Sequence, residues 1–173
     1  MRKSRSGYDD VTEDFLILIG RIVIGWSRIE RAIDLALVQR RSLIPKHFEK
    51  GPPISLDPKM RAFRALCKQI PAFEKMQPWI EGRITELLEL AQQRHTIIHG
   101  FFHGVSGEPE PQIYFRRATP LSGDAGHRLI ATRAELEVFL ERLRKLDFDF
   151  IGLMLTAIGR RGSKTTSPPA PTA

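Results

Sequence analysis

Residues 132–157 read TRAELEVFLERLRKLDFDFIGLMLTA, and the spacing of their apolar side chains predicts one long amphipathic helix. Thr132 followed by Glu135 is the capping-box pattern that begins a helix. Apolar residues then recur at steps of three and four, which places them along one helical face. They are Leu136, Phe139, Leu143, Leu146, Phe150, Leu153 and Ala157. A face this long needs other apolar elements to cover it, so the segment predicts a helical core.

Three further segments have helical patterns, at about 11–39, 58–70 and 78–99. We expect Asp10 or Thr12 to cap the first, and Asp57 to cap the second with Pro58 at its first position. Four helices with short or medium connections predict an all-α fold, an antiparallel four-helix bundle. The apolar stripe of the first helix is broad enough to contact more than one neighbour, a second subunit included.

Residues 101–118 differ in character from the helices. FFHGV and QIYFRRA are short, aromatic and β-branched, and SGEPEP lies between them. This pattern predicts a small β-hairpin inserted between the last two helices, within an insert at about 101–131. The domain organisation is therefore a basic, disordered tail at 1–10, a helical domain at 11–158 and a Pro/Ser/Thr-rich, disordered tail at 159–173 that cannot pack.

The net charge of +7 points only weakly to a nucleic-acid partner. Residues 1–8 hold three positive charges and residues 159–173 hold three more, with no acid in either, which leaves +1 for residues 9–158. The single cysteine, Cys67, excludes an intrachain disulfide and is typical of a reducing compartment. No segment has the length and apolarity of a membrane span. We therefore expect a cytoplasmic protein with no membrane partner.

The stretch RHTIIHGFFHG at 94–104 carries the one motif with specific chemistry. Arg94 and His99 lie five positions apart, His95 follows the arginine, and Gly100 follows the second histidine. The stretch resembles the signature of HEPN domains, all-α proteins with an arginine, four to six residues and a histidine late in a bundle helix. WSRIE at 26–30, in the first helix, is also similar to this family.

The resemblance implies a metal-independent endoribonuclease that acts as a homodimer and leaves 2′,3′-cyclic phosphates. An enzyme of this kind requires no cofactor. Family members also serve in toxin–antitoxin and phage-defence systems, so RNA and a cognate antitoxin are expected partners. The alternative that the resemblance leaves open is a catalytically inactive dimeric module. Such a module would bind a nucleotide or a protein partner, for example a nucleotidyltransferase-type protein.

The residue types of the motif suit this chemistry. Histidine titrates near neutrality and can serve as general acid or base, so we assign that role to His99. Arginine stays charged and can bind two phosphate oxygens, so Arg94 would stabilise the charge that develops on phosphorus. His95 would position Arg94 or the phosphate, and Glu30 would hold Arg94 by a hydrogen bond. In the alternative without catalysis, Arg94 pairs with Glu30 or Glu89 and His99 caps the helix.

Two other sets of residues are candidates for binding. His95, His99 and His103 are spaced four apart, but Gly100 should end the helix between them, so we expect no metal site. Aromatic residues of the predicted hairpin lie beside two arginines and could stack on bases while the arginines contact phosphates. The candidate RNA-binding residues are Phe102, Tyr114, Arg116 and Arg117. Hairpin aromatics also commonly belong to the core.

Overall fold

The structure, a computed structural model, describes residues 7–43, 53–99, 101–106, 111–116 and 128–159. Within these residues the chain is mostly helical, with four long helices and a small antiparallel sheet, as the sequence predicts. The helices are α1 (Gly7–Gln39), α2 (Leu56–Lys68), α3 (Gln77–His99) and α4 (Arg133–Gly159). The strands are β1 (Phe101–Ser106), β2 (Gln112–Arg116) and β3 (Arg128–Thr132), and short 3-10 turns follow α1 and α2. No helix in these ranges is long and apolar enough to cross a membrane.

The predicted start of α4 is confirmed in atomic detail. The Thr132 backbone N–H donates to Glu135 Oε2 at 2.8 Å, and the Glu135 backbone N–H donates to Thr132 Oγ1 at 3.2 Å. This reciprocal pair provides acceptors for two N–H groups that have no partner within the helix. α4 therefore begins where the local sequence places it.

The predicted starts of α1 and α2 are each wrong by a few residues. α1 begins at Gly7, so Asp10 and Thr12 lie inside it, where the helix dipole favours acidic residues in the first turns. Ser55, in extended conformation, is the residue that precedes α2. Pro58 is accommodated in the first turn of α2, because backbone N–H groups there have no partner within the helix. Residues 1–6, 44–52 and 160–173, which include most of the predicted tails, lie outside the described residues.

The insert between α3 and α4 contains three strands where the sequence predicted a two-stranded hairpin. The strand order is β1-β2-β3, and both pairs are antiparallel. The register of the first pair shifts between Phe102 and Gly104. Two residues at the centre of the sheet, Ile113 and Ala131, lie directly opposite each other and are buried in the common core. The sheet therefore packs on the helices as part of the same domain.

α1 and α4 form the most extensive helix pair, and they run parallel. Arg133 contacts Asp14 at the start of the pair, and Arg28 contacts Asp147 in the middle at 3.0 Å. At the far end, Arg40 donates to backbone carbonyls in the last turn of α4. The partners advance in the same direction along both helices, so this pair departs from the alternating directions of the predicted bundle. The 3-10 turns and the sheet provide connections long enough for such a crossover.

α3 lies against α4 in the antiparallel sense. Arg83, near its start, is 3.7 Å from Asp149, whereas Glu86, further along, is 3.1 Å from Arg142. α2 closes the core through Phe63, whose ring centroid is 5.6 Å from that of Phe150 in α4. All seven apolar positions predicted for the α4 face are buried. The helices therefore share one core, which α4 crosses over its full length.

Close contact between α1 and α4 depends on Gly25. A Cβ at this position would lie 3.0 Å from Leu143 Cδ2, whereas a Cβ at Gly82 of α3 would have no atom within 4 Å. Gly82→Ala is expected to stabilise the protein by about 0.5–1 kcal/mol, because alanine is the better helix former. Gly25→Leu is expected to destabilise it by about 1–3 kcal/mol through overpacking. Urea unfolding measures the change in the free energy of unfolding of each variant relative to wild type. The same change in both variants would contradict the close contact at Gly25.

The Arg28–Asp147 pair predicts a pH dependence of stability. Burial raises the pKa of the Asp147 carboxyl above its ordinary value, against the opposing effect of Arg28. The folded state thus holds this proton more tightly than the unfolded chain, and the resulting stabilisation is lost as the pH rises through the folded-state pKa. The difference in the free energy of unfolding, Asp147→Asn minus wild type, should therefore be greater at pH 7 than at pH 4. Urea unfolding at both pH values that gave the same or the reverse difference would contradict this.

Candidate functional site

The motif lies on the last turns of α3, as predicted. Arg94 and His95 are half-buried residues of this helix, and His99 is its final residue. The side chain of His99 and all of Gly100 lie outside the described part of the chain, so the roles assigned to them stay predictions. His99 is nevertheless the last residue of α3, as the sequence predicts.

Arg94 stacks on an aromatic residue of α1. Its guanidinium carbon lies 5.5 Å from the centroid of the Trp26 ring, which is within the range of a cation–π contact. Trp26 is 2% exposed and is one of the largest fully buried side chains of the core. The ring is therefore held rigidly by packing, and it provides a fixed surface for the cation.

Glu30, which the sequence predicts to hold Arg94 by a hydrogen bond, makes no such bond among the described side chains. It is half-buried on α1, one helical turn after Trp26. Among the described side chains there is no ion pair between Glu30 and Arg94, and Glu89 contacts Arg142 at 3.5 Å. The contact that the structure shows for Arg94 is with the Trp26 ring. The sequence indicated it only as one letter of the WSRIE segment, and nothing local revealed that its ring faces α3.

The charge around Arg94 differs from that around the other arginine of α3 that stacks on a tryptophan. Arg83 lies 6.0 Å from the Trp79 ring centroid and contacts both Glu86 and Asp149. Within the described ranges no carboxylate contacts Arg94, so its positive charge is not neutralised by an ion pair there. An arginine in this state retains the capacity to bind an external anion.

Two N–H groups at the Arg94–Trp26 contact are buried without an acceptor. Arg94 Nε and Trp26 Nε1 each lack a hydrogen-bond partner among the described residues. A buried donor without an acceptor costs about 1–3 kcal/mol, so each such group calls for an explanation. Arg83 Nε is also buried without an acceptor, but Arg83 is paired with two carboxylates. The feature that distinguishes Arg94 is therefore the absence of an ion pair among the described residues. An oxyanion at Arg94 would provide both a counter-charge and acceptor oxygens.

A cavity of about 370 Å³ lies beside the motif, between α3, β3 and the first turns of α4. The α3 residues that line it are Leu90, Gln93 and Ile97, and Gln93 directly precedes Arg94 in sequence. Its other walls are mainly apolar, and Arg142 at the lining is already paired with Glu86. Its volume is within the range of small-ligand pockets, and its mainly apolar walls suit an apolar group better than a charged one.

The predicted RNA-binding residues are distributed over the sheet. Arg117 lies outside the described residues, as do the side chains of Phe102 and Arg116. Tyr114 is half-buried on β2, and its hydroxyl donates to Gln112 Oε1 at 3.3 Å. In the register, Phe102 lies opposite Phe115, whereas Tyr114 and Arg116 occupy the alternate positions of β2. RNA binding by this set stays a prediction.

Two other sequence expectations concern metal binding and the cysteine. Within the described residues no group of three His, Cys, Asp or Glu side chains could hold a metal ion. His103 is in β1, beyond the end of α3, and so does not continue the helical spacing of His95 and His99.

Burial, with a smaller contribution from Glu81, raises the pKa of Cys67 to about 12. Cys67 is therefore a packing residue in α2, since its thiolate is almost absent at neutral pH.

Comparison of the chain with models of known protein families, with curated proteins and with solved structures finds no match.

Proposed function

We propose that this chain is a HEPN-like helical bundle that cuts RNA as a homodimer, without a metal ion. The observation that carries the proposal is Arg94, a motif arginine that stacks on buried Trp26 and contacts no carboxylate in the described ranges. A cation held on a rigid surface and left without a counter-charge is the group that a phosphodiester requires. The placement of the motif on the last turns of α3 supports the same proposal.

The reaction we propose uses the 2′-hydroxyl of RNA as nucleophile. That oxygen attacks the adjacent phosphorus, the bond to the 5′-oxygen breaks, and a 2′,3′-cyclic phosphate and a 5′-hydroxyl result. His99 of one subunit accepts the 2′-proton, and His99 of the second donates a proton to the leaving oxygen. Arg94 binds the phosphate oxygens as negative charge develops, and His95 positions the phosphate. The reaction needs one group to accept a proton and one to donate a proton. Since His99 provides one such group in each subunit, the mechanism requires a dimer.

The half-buried position of Arg94 favours a second candidate function. With its guanidinium facing Trp26, the residue can bind an anion firmly and yet not reach a scissile phosphate. The chain would then be a dimeric module that binds a nucleotide or a protein partner without turnover. A nucleotidyltransferase-type protein or an antitoxin is the partner that the resemblance implies, and a toxin–antitoxin or phage-defence system is the proposed setting.

The decisive experiment is cleavage of a generic single-stranded RNA by the purified protein in excess chelator. We expect cutting that resists the chelator, with product ends that carry 2′,3′-cyclic phosphates and 5′-hydroxyls. A DNA strand of the same sequence is the control, and it should stay intact because it lacks the 2′-hydroxyl. Absence of cleavage, together with saturable binding of RNA or a nucleotide, would replace the nuclease by the binding module. Cutting that chelator abolishes would contradict the mechanism.

A further inference from the structure

The outer face of α1 carries an unusual number of exposed apolar side chains. Leu16, Ile17 and Ile24 are 57%, 46% and 63% exposed, and Val38 near the end of the helix is 53% exposed. Gly20 lies among them, and a Cβ there would have no atom within 4 Å. These residues follow helical spacing on the side of α1 that faces away from the core. We call this surface, from Leu16 to Val38, the outer face of α1.

The charges of α1 are divided between its two ends. Residues 7–20 contain four acidic residues and no lysine or arginine, whereas residues 21–41 contain five arginines and two acidic residues. Arg21 and Arg31 are exposed on α1 and have no ion pair among the described side chains. A helix with this division is complementary to a second copy of itself that runs in the opposite direction, because each acidic half then lies against a basic half.

We propose that two copies of this chain pair through the outer face of α1, with the two α1 helices antiparallel about a two-fold axis near residue 22. This pairing rests on the homodimer of the second candidate function, the binding module, because Arg94 stacks on Trp26 on the core side of α1 and the two motifs therefore lie away from the shared surface. In this register Ile24 of each copy lies opposite Gly20 of the other, where the missing side chain leaves room. Arg31 of each copy lies opposite Glu13 of the other. Both contacts occur twice, as an isologous interface requires.

The size of a stable interface requires α4 to contribute as well. From Leu16 to Val38 the outer face is about 33 Å long and one helix, about 10 Å, wide, which buries roughly 660 Å² over two copies. Specific interfaces bury about 1,200–2,000 Å², so α1 alone is insufficient. Addition of the parallel α4 doubles the width and brings the total to about 1,300 Å², within that range.

α4 has the side chain that this requires. Phe148 is 80% exposed, and it follows Asp147, which is paired with Arg28 of α1. The contacts between the two helices keep a constant offset, so Phe148 lies level with residue 29 of α1. The two-fold axis near residue 22 places this level of one copy beside the level of residue 15 in the α1 helix of the other copy, next to the exposed Leu16. The most exposed aromatic residue of α4 is thus covered by the copy.

Sedimentation and light scattering of charge variants test the surface. Ile24→Glu places a charge at the centre of the interface, and we expect it to weaken the dimer at least 10-fold. Val138→Glu is the matched control, since Val138 is 62% exposed but lines the cavity beside α3. It should leave the dimer unchanged. An Ile24→Glu protein that dimerises like wild type would overturn this surface while the homodimer stands, whereas a monomeric wild type would overturn both.

Cross-linking tests the antiparallel direction. In our register the two copies of residue 24 are separated by about 6 Å along the direction of the α1 helices. The two copies of residue 35 are separated by about 39 Å in the same direction. A short bis-maleimide should therefore join Ile24→Cys subunits and not Leu35→Cys subunits, with buried Cys67 unreactive in both. Cross-linking at both positions would overturn the antiparallel arrangement. A dimer that depends on Ile24 but does not cut RNA would support this surface and contradict the nuclease.

Discussion

Replacement of Arg94 by alanine is expected to reduce RNA cleavage about 10²–10³-fold, the usual effect of removing one group that stabilises developing charge. Arg94→Lys keeps the charge but not the planar pair of donors, so it should restore only part of the activity. Single-turnover cleavage at saturating protein measures the chemical step and separates it from binding.

Arg83→Ala is the matched control for this experiment. Both arginines belong to α3, stack on a tryptophan and have a buried Nε without an acceptor, but Arg83 is neutralised by Glu86 and Asp149. We expect Arg83→Ala to change stability and to leave the rate per folded molecule within about twofold. Equal losses of activity in the two variants would show a general structural effect. Full activity of Arg94→Ala would remove the phosphate clamp from the mechanism.

Trp26→Ala is expected to lower the free energy of unfolding by about 3–5 kcal/mol, because a large and fully buried ring leaves a cavity that the core cannot fill. Trp26→Leu keeps part of the apolar volume and removes the aromatic surface under Arg94, so it is the more informative variant. A double-mutant cycle between Trp26→Leu and Arg94→Met should give a coupling of about 0.5–2 kcal/mol from the cation–π contact. Urea unfolding at neutral pH measures all four proteins.

The same cycle with Arg83→Met in place of Arg94→Met provides the comparison. Arg83 contacts Trp79 and is joined to α4 through Asp149, so its coupling to Trp26 should be near zero. Coupling of Trp26 to both arginines would indicate a diffuse effect of the core. Absence of coupling to Arg94 would mean that Trp26 stabilises the fold without holding the guanidinium, and Arg94 would then need another residue to position it.

Much of the helical content could be predicted because the signals for it are local. The reciprocal hydrogen bonds of Thr132 and Glu135 involve residues three apart, and the apolar face of α4 repeats at the helical period. The end of α3 after His99 is likewise a local property of the chain. The start of α2 was less accurate, because Ser55 and Asp57 are both capping residues and either can precede Pro58.

The third strand was missed for a related reason. β3 ends at Thr132, the residue that also caps α4, so the capping signal obscured the short strand before it. RLIAT has little strand character alone, and it pairs because β2 presents a complementary edge. Strand pairing depends on a partner distant in sequence, which local patterns do not specify.

The candidate site divides in the same way. The sequence by itself placed Arg94, His95 and His99 on the last turns of one helix, because spacing and helix ends are properties of neighbouring residues. Only the tertiary structure decided that Arg94 stacks on Trp26 and that α1 runs parallel to α4. These are contacts between residues more than sixty positions apart, and the packing of apolar faces selects them from many arrangements with the same local patterns.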